Sequence, residues 1–345
     1  KVTVVLSGVG ASASHPVHIH ANSGAEGGAI VVSLQPVTGG EGKSETIVSS
    51  LDDGTAVTYQ DLIAFDGHVN VHLSTGDLGT LVAQGDIGTN EFTSNIEDYE
   101  LAAVGGSGVS GDVTFIERAS GEILVVLDLE NTPSGGMHPA HIHDGSAAVG
   151  GSIAITLNDV NGENGFSLTD ISKLDNGTAI TFSELKDFDG HVKVHLSATE
   201  LGTVVASGDI GDNVLTGEME EFTLDAVSGS NISGTVTFKE RKGGKTLVSI
   251  ALTGTPDGGT HPAHIHEKSL AEGGGIAIDL SSVNGSTGMS YTDVGSATFE
   301  ELANYDGHVK VHLSAEDLGT VVAAGDIGGN ELTGESVEYA LNEVA

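Results

Sequence analysis

The chain has 345 residues, of which 12 are Lys or Arg and 49 are Asp or Glu, so its formal net charge is −37. This charge repels phosphate backbones and anionic lipid, which argues against nucleic acid or membrane insertion and favours cations as partners. The absence of cysteine excludes disulfides, zinc fingers and thiol nucleophiles. The acidic surface either keeps a secreted or salt-exposed protein soluble or captures multivalent cations, and the sequence leaves both readings open.

The predicted elements are short strands. Only 4% of residues are aromatic while 51 are glycine, and apolar or alternating segments rich in Val, Ile, Thr and Leu are bounded by Gly, Asn and Asp. Residues 181–188 and their copies predict helices of one or two turns, because Ser or Thr precedes acidic residues in a capping order. We therefore expect an all-β protein made of three tandem Greek-key or immunoglobulin-like β-sandwich domains with very short helical turns.

The spacing of the histidines defines the length of the sequence repeat. The step from His15 to His138 is 123 residues, and so is the step from His138 to His261. This period is longer than that of solenoid repeats and is typical of tandem globular domains. We predict a first repeat at 1–97, a second at 98–219 and a third at 220–336, followed by a spare first strand at 337–345. No apolar run approaches the roughly 18 residues of a membrane span. If the protein is secreted, its signal peptide has been removed.

The two ends of the chain differ from the repeat pattern. The second and third repeats each open with two strands that the first repeat lacks, and residues 338–344 match the opening strand of a repeat. The tail of one copy is therefore a candidate donor strand for the head of the next, a contact that propagates into a filament unless it closes a ring. The alternatives are that the sequence is a fragment of a longer array, or that the ring closes within one chain.

All fifteen histidines follow one five-residue pattern written three times, and we treat each copy as one site. In a strand, residues i and i+2 share a face about 7 Å apart, so an HxH pair and a histidine from a neighbouring strand suit copper or zinc. The predicted ligands are His18, His20 and His72; His141, His143 and His195; and His264, His266 and His312. We expect these side chains to lie exposed outside the sandwich, because Val and Ile occupy the alternate positions.

A second tier of metal candidates comprises His15, His68, His138, His191, His261 and His308. His308 lies about 13 Å from His312 along an ideal strand, too far to share an ion without a bulge. His261 precedes a proline and is either a fourth ligand or a turn residue.

A lysine weakens two of the three predicted sites. Lys193 and Lys310 stand between the two histidines of the late strand, where the first repeat has Asn70. An ammonium group there opposes a dication unless its stem carries it away, so we expect the first repeat to bind metal most strongly.

Aspartates near the histidines are candidate partners for imidazole N–H groups. Asp86, Asp209 and Asp326 each stand in a Gly-Asp-Ile-Gly sequence, while Asp66, Asp189 and Asp306 precede the late strand and suit ordinary turns better. A metal-free network of histidine and aspartate is the alternative reading of the whole cluster. Calcium is disfavoured, because the loop at 158–165 lacks the acidic spacing and the closing Glu of a calcium loop.

The residues resemble the chordin-type (CHRD) domain. The likeness rests on the strand at Phe222, the His264-Ile-His266 strand, the Gly-Gly apolar strand after it, and the late strand ending at His312. It implies an extracellular β-sandwich module, often found in surface or matrix proteins, with no settled enzymatic role. The chain departs from that family after the late histidine, where Leu318-Gly-Thr-Val-Val stands in place of the family's Gly-Glu-Ile-Arg-Gly.

A weaker likeness is to copper/zinc superoxide dismutase, which also has an HxH strand outside a Greek-key barrel. The residues Asp317-Leu-Gly resemble a short sequence segment of that family. The cysteines of that family are absent, and Arg118 and Arg241 are the only arginines, so a guiding arginine cannot stand at every site.

These observations predict a secreted structural or surface protein, extracellular or on the cell surface, that assembles head-to-tail and holds a histidine metal site in each repeat. Copper is the favoured metal, zinc the alternative, and the chain itself the expected partner. A soluble module for copper or zinc sequestration or delivery is the second hypothesis, and a dismutase-like enzyme the third; we do not expect an enzyme.

Overall fold

The structure is a computed structural model that describes residues 1–227 and 229–331. The predicted donor strand at 337–345 lies outside the described residues. The chain divides into two compact units. The first comprises Lys1–Ile142, Ile153–Lys186 and Val192–Gly208, and the second comprises His143–Ser152, Asp187–His191 and Asp209–Ala345. The division into three domains stays a prediction.

The first repeat forms one six-stranded antiparallel sheet. Its elements are β1 (Val2–Val5), β2 (Ser14–Ala21), β3 (Ile30–Thr38), β4 (Lys43–Thr46), α1 (Tyr59–Ile63), β5 (Asp66–Ser74) and β6 (Asp77–Gly88). The strand order is β1-β4-β3-β2-β5-β6, so β1 and β6 are the outer strands.

The middle of the chain contributes a ten-stranded sheet. Its elements are β7 (Phe92–Ala103), β8 (Ser110–Arg118), β9 (Ile123–Glu130), β10 (Met137–His138), β11 (Ala140–Asp144), β12 (Ile153–Thr156), β13 (Val160–Asn161), β14 (Phe166–Ile171), α2 (Phe182–Lys186), β15 (Asp189–His195) and β16 (Val204–Gly211). The order is β10-β13-β14-β9-β8-β7-β16-β15-β11-β12. Strand β7 crosses the boundary predicted between residues 97 and 98.

The third repeat is a closed eight-stranded barrel. Its elements are β17 (Leu215–Ala226), β18 (Ser233–Arg241), β19 (Thr246–Thr253), β20 (Thr260–Glu267), β21 (Ile276–Asn284), β22 (Met289–Val294), α3 (Phe299–Ala303), β23 (Gly307–Ser314), β24 (Asp317–Ile327) and a short 3-10 turn at Gly328–Asn330. The order β17-β18-β19-β22-β21-β20-β23-β24 places β19 beside β22 and β20 beside β23, as in a Greek key. The all-β prediction is confirmed.

The three helices are single turns with a shared cap. Thr58 and Thr298 each accept a hydrogen bond from the backbone N–H three residues on, and Asp61 and Glu301 reach back to the cap, which completes a capping box. Thr181 and Glu184 exchange the same hydrogen bonds before α2. None of the helices in the described part of the chain is long and apolar enough to cross a membrane.

The cores of the first and third repeats differ in completeness. In the barrel, β17 and β18 bury Phe222, Leu224, Val236 and Phe238 against the other strands. The first repeat has no counterpart of these two strands among the described residues, and its core around Val17 is bordered by apolar side chains that are only partly buried. The open side of this sheet is therefore the main departure from the barrel.

Candidate metal centres

The HxH strand and the late strand are direct neighbours in the first and third repeats. In the barrel, β20 pairs with β23 so that His264 lies opposite Lys310, Ile265 opposite Val309 and His266 opposite His308. Ile265 and Val309 are fully buried in the barrel core. The histidines therefore share the other face, as strand alternation predicts.

A bulge brings the third histidine to the pair. The pairing of β23 with β24 shifts register between Val311 and His312. The ring centroid of His312 lies 5.0 Å from that of His264 and 6.2 Å from that of His266. One ring nitrogen from each of the three lies within 4.8 Å of the others. The three-histidine group thus contains His312 and not His308.

The first repeat repeats this geometry. The ring centroid of His72 lies 4.9 Å from that of His18 and 6.1 Å from that of His20, again beside a register shift after Val71. One nitrogen of each of these histidines also lies within 4.8 Å of the other two. We call the two clusters site 1 (His18, His20, His72) and site 3 (His264, His266, His312).

The sequence of the middle repeat has His141, His143 and His195 at the same three positions. The ring centroids of His141 and His195 are 5.1 Å apart, close to the 4.9 Å between His18 and His72 in site 1. The ring of His143 stacks on that of His191 at 5.1 Å. These pairs match those of the flanking repeats.

The hydrogen bonds of site 1 leave ring nitrogens for a ligand. The Nδ1–H of His20 donates to the Gly28 carbonyl at 2.9 Å, and that of His72 donates to the Leu78 carbonyl at 2.7 Å. This fixes the tautomer and leaves Nε2 of both rings with a lone pair. Both Nε2 atoms, and Nδ1 of His18, are buried without a hydrogen-bond partner among the described residues. Three unpaired imidazole nitrogens in one cluster fit a metal ion that prefers nitrogen ligands.

The expectation that these histidines are exposed is wrong. His20 is 9% exposed, His72 is 5%, and His312 is 5%. They do lie on the outer face of their sheets, but the loop after the HxH strand and the β5–β6 turn fold over them, held by the hydrogen bonds to Gly28 and Leu78. Sequence alternation gives the face of a side chain but not what covers it.

Burial favours the neutral form of three candidate ligands. The pKa of His18 is lowered by burial first and then by the nearby His72 and His20. Burial also lowers the pKa of His266 and His312, with contributions from Lys310 and His264. Neutral imidazole is the form that binds metal.

The six second-tier histidines place Nδ1 within hydrogen-bond distance of backbone carbonyls near the candidate ligands. His15 and His261 place Nδ1 at 3.1 Å and 3.2 Å from the carbonyls of His72 and His312, and His138 places it at 2.8 Å from the Leu196 carbonyl. His68, His191 and His308 donate Nδ1–H to the carbonyls of Asn22, Gly145 and Lys268. None of these six belongs to the three-histidine groups found in the described residues.

The aspartates predicted as imidazole partners have other ones. Asp86, Asp209 and Asp326 accept the backbone N–H of Gly24, Ala147 and Leu270 at 2.7, 2.6 and 2.6 Å. The Nδ1–H groups described above go to backbone carbonyls instead, so the predicted pairing of imidazole with these aspartates is corrected. In the first repeat, for example, the loop after the HxH strand supplies the Gly28 and Asn22 carbonyls that accept from His20 and His68.

Two buried arginines bind two of these aspartates, and this role was not predicted from the sequence. Arg118 donates to Asp86 and to Asp170, each at 2.7 Å, and its side chain has no solvent exposure. Arg241 does the same with Asp209 at 2.8 Å and Asp293 at 2.7 Å. A signal was available: the chain's only two arginines are 123 residues apart, the same period as the histidines.

Comparison with known proteins finds one local likeness. Over 46 residues the chain is 48% identical to cell surface superoxide dismutase 4 (Cu-Zn) of Candida albicans, a stretch that covers 13% of this chain and 20% of that protein. The chain thus spans about a fifth of the length of this relative. No protein-family model matches, so the resemblance to the chordin-type domain is without support. No solved structure matches either.

Proposed function

We propose that this chain is a copper-binding repeat protein of the extracellular space or cell surface, with one three-histidine site in each repeat. The observation that carries the proposal is the set of buried, unpaired imidazole nitrogens in site 1, with the same histidines in site 3. A bound copper ion supplies one-electron redox chemistry, whereas zinc in the same place acts only as a Lewis acid.

The donor set favours copper or zinc over calcium. Three neutral imidazoles offer nitrogen lone pairs and no carboxylate oxygen, whereas calcium takes six to eight oxygen ligands. The net charge of −37 attracts cations of any kind to the surface and raises their local concentration at the sites. The local likeness to a cell-surface protein supports the extracellular part of the proposal.

The test is a titration of the metal-free chain with Cu(II) and with Zn(II), followed by metal analysis after gel filtration. We expect three tight copper equivalents per chain and nitrogen hyperfine structure in the electron paramagnetic resonance spectrum. A matched control replaces His20, His143 and His266 by Gln, which removes one ligand from each site. Retention of three tight equivalents by that variant, or none by the parent chain, refutes the proposal.

A second candidate function is head-to-tail assembly into filaments by strand complementation. It is favoured by the open side of the first repeat, where β1 and β6 are outer strands. A cavity of about 350 Å³ lies between them, lined by Val2, Ile19, Val69 and Ile87. A further cavity of about 500 Å³ is lined by Leu6 and Val82 among others. Unpaired strand edges beside uncovered apolar surface accept added strands.

Residues 337–345 supply a candidate donor. By sequence, Tyr339 and Leu341 align with Phe222 and Leu224, which the barrel buries on β17. Electron microscopy of the concentrated chain should show filaments, and the chain ending at residue 331 should show none. A Tyr339→Asp variant is the matched test of the apolar contact. If the parent chain stays monomeric at high concentration, this candidate is rejected.

Dismutase-like activity is the third candidate, favoured only by the local likeness to a superoxide dismutase. Both arginines form buried ion pairs with two carboxylates and are 1% exposed, so neither serves as a guiding cation at a histidine site. Superoxide turnover by the copper-loaded chain, lost in His264→Gln or His266→Gln, is the required result. A copper-loaded chain without turnover eliminates it.

A further inference from the structure

The loop after each HxH strand orients two imidazoles of its own repeat. In the first repeat this loop is residues 22–28. Its Asn22 carbonyl accepts the Nδ1–H of His68 at 2.8 Å, and its Gly28 carbonyl accepts that of His20 at 2.9 Å. The direction of the His20 ring, and with it the position of the free Nε2, therefore depends on where this loop lies.

The next repeat holds the same loop from its other side. The backbone N–H of Gly24 donates to one oxygen of Asp86 at 2.7 Å, and the other oxygen of Asp86 accepts Arg118 at 2.7 Å. The Ser23 hydroxyl donates to Asp170, which also binds Arg118 through two N–H groups. Arg118 and Asp170 belong to the second repeat, so a guanidinium and a carboxylate from one repeat fix the ligand loop of the repeat before it.

The same arrangement recurs one repeat later, within the second compact unit. Ser146 donates to Asp293, and the Ala147 N–H donates to Asp209. Arg241 of the third repeat binds both of these aspartates. The loop carbonyls of Gly145 and Gly151 accept the Nδ1–H groups of His191 and His143. Two independent copies of one network make a chance arrangement implausible.

The third repeat provides an internal contrast. Its loop keeps the hydrogen bonds from Leu270 N–H to Asp326 and from the His266 and His308 rings to the loop carbonyls. Ser269, however, bonds to Glu272 within the loop. The chain has only two arginines, and both are engaged at the other two loops. Within the described residues, the ligand loop of site 3 is thus held by Asp326 without an arginine bound to that aspartate.

We propose that Arg118 and Arg241 are positioning residues for candidate metal ligands of the repeats that precede them, so that His20 and His143 are each oriented by a guanidinium of the following repeat. This inference rests on the proposed metal binding. The arginine acts through Asp86 or Asp209 and the ligand loop, and touches no ligand itself. Outer partners of this kind typically change metal affinity by about 10- to 100-fold.

The test uses chains in which one site is left intact. His143→Gln with His266→Gln leaves site 1, and His20→Gln with His143→Gln leaves site 3. Arg118→Lys, which keeps the charge but loses the planar fork, is introduced into each. We expect the copper affinity of site 1 to fall by about tenfold or more and its electron paramagnetic resonance parameters to shift, while site 3 is unchanged. Ser23→Ala, a smaller change, should shift site 1 in the same direction.

Each other outcome overturns the inference. If Arg118→Lys lowers the midpoint of unfolding but leaves the affinity and spectrum of site 1 unchanged, the arginine is only structural. If sites 1 and 3 weaken equally, the effect is general. If the parent chain with site 1 alone takes up no copper, the proposed function fails together with the inference, and this measurement precedes the arginine variants.

Discussion

The imidazole of His20 stacks on that of His68, with ring centroids 5.0 Å apart and planes inclined by 22°. His143 and His191 stack in the same way at 5.1 Å, and His266 and His308 at 5.0 Å. In each pair one ring belongs to the candidate ligands and the other donates to a carbonyl of the covering loop. The second ring thus packs against the candidate ligand and is itself held by the covering loop.

The His68→Phe variant should show whether His68 only packs against His20 or also binds the metal. Phenylalanine keeps a flat ring against His20 but removes the hydrogen bond to the carbonyl of the exposed Asn22, so we expect the free energy of unfolding to fall by about 0.5–1.5 kcal/mol. Copper stoichiometry should remain three per chain. Chemical denaturation and titration of the same sample measure both. If the folded variant binds only two equivalents, His68 is a ligand and the three-histidine assignment of site 1 is wrong.

Arg118→Met should be far more costly than loss of a surface pair. It leaves the carboxylates of Asp86 and Asp170 without their cation, and breaking a buried pair in this way costs about 3–5 kcal/mol. Lys43→Met is the control, because Lys43 and Glu45 form an exposed pair that water screens and that contributes little to stability. Thermal unfolding monitored by circular dichroism compares them. Equal losses in the two variants would contradict the structural role of Arg118.

Exchange of Asn70 and Lys310 should reverse the order of copper affinity. Lys310 lies opposite His264 and lowers the pKa of His266 and His312, whereas Asn70 lies opposite His18 and accepts a hydrogen bond from Gln84. Because a nearby ammonium repels a dication, Asn70→Lys should weaken site 1 and Lys310→Asn should strengthen site 3, each by about tenfold. Competition with a chelator on single-site chains measures this. Unchanged affinities would show that the lysine points its charge into solvent.

The metal-free protein should lose stability as pH falls below about 6.5. The folded-state pKa values of His18, His266 and His312 lie below the ordinary value of 6.5, chiefly because of burial. The unfolded chain therefore binds protons first as pH falls, so the free energy of unfolding is greatest above pH 6.5 and declines below it. Urea unfolding between pH 7.5 and 5.5 avoids most carboxylate titration. The variant with His18, His266 and His312 replaced by Gln should show a shallower decline, and an equal slope would contradict the assignment.

Strand periodicity made most of the fold and the ligand set predictable. Alternation placed Ile265 and Val309 in the core and the histidines on the opposite face, and the parity of His264 and His266 selected the HxH pair. The distance of about 13 Å between His308 and His312 along an ideal strand predicted that only one of them joins that pair, and the group in the structure contains His312. These are local properties of an extended backbone, so one sequence is enough to derive them.

Strand periodicity did not predict that the histidine sites are buried. It also did not predict which residues bind the aspartates beside them. Asp86 precedes Arg118 by 32 residues and Asp170 follows it by 52, and nothing in the local pattern relates the three. Likewise, the Gly28 carbonyl that fixes the His20 ring comes from a loop whose path is set by contacts with the next repeat.

By itself, the sequence determined the all-β architecture, the repeat frame, the acidic surface and the three-histidine groups, because hydrophobic alternation, spacing and charge are properties of the chain. Only the tertiary structure decided that the first repeat is an open sheet while the third is a closed barrel, that the histidines are covered, and that Arg118 and Arg241 bridge successive repeats. The physical reason is that closure, burial and ion pairing join residues from distant segments, and each depends on how separate strands pack rather than on any one of them.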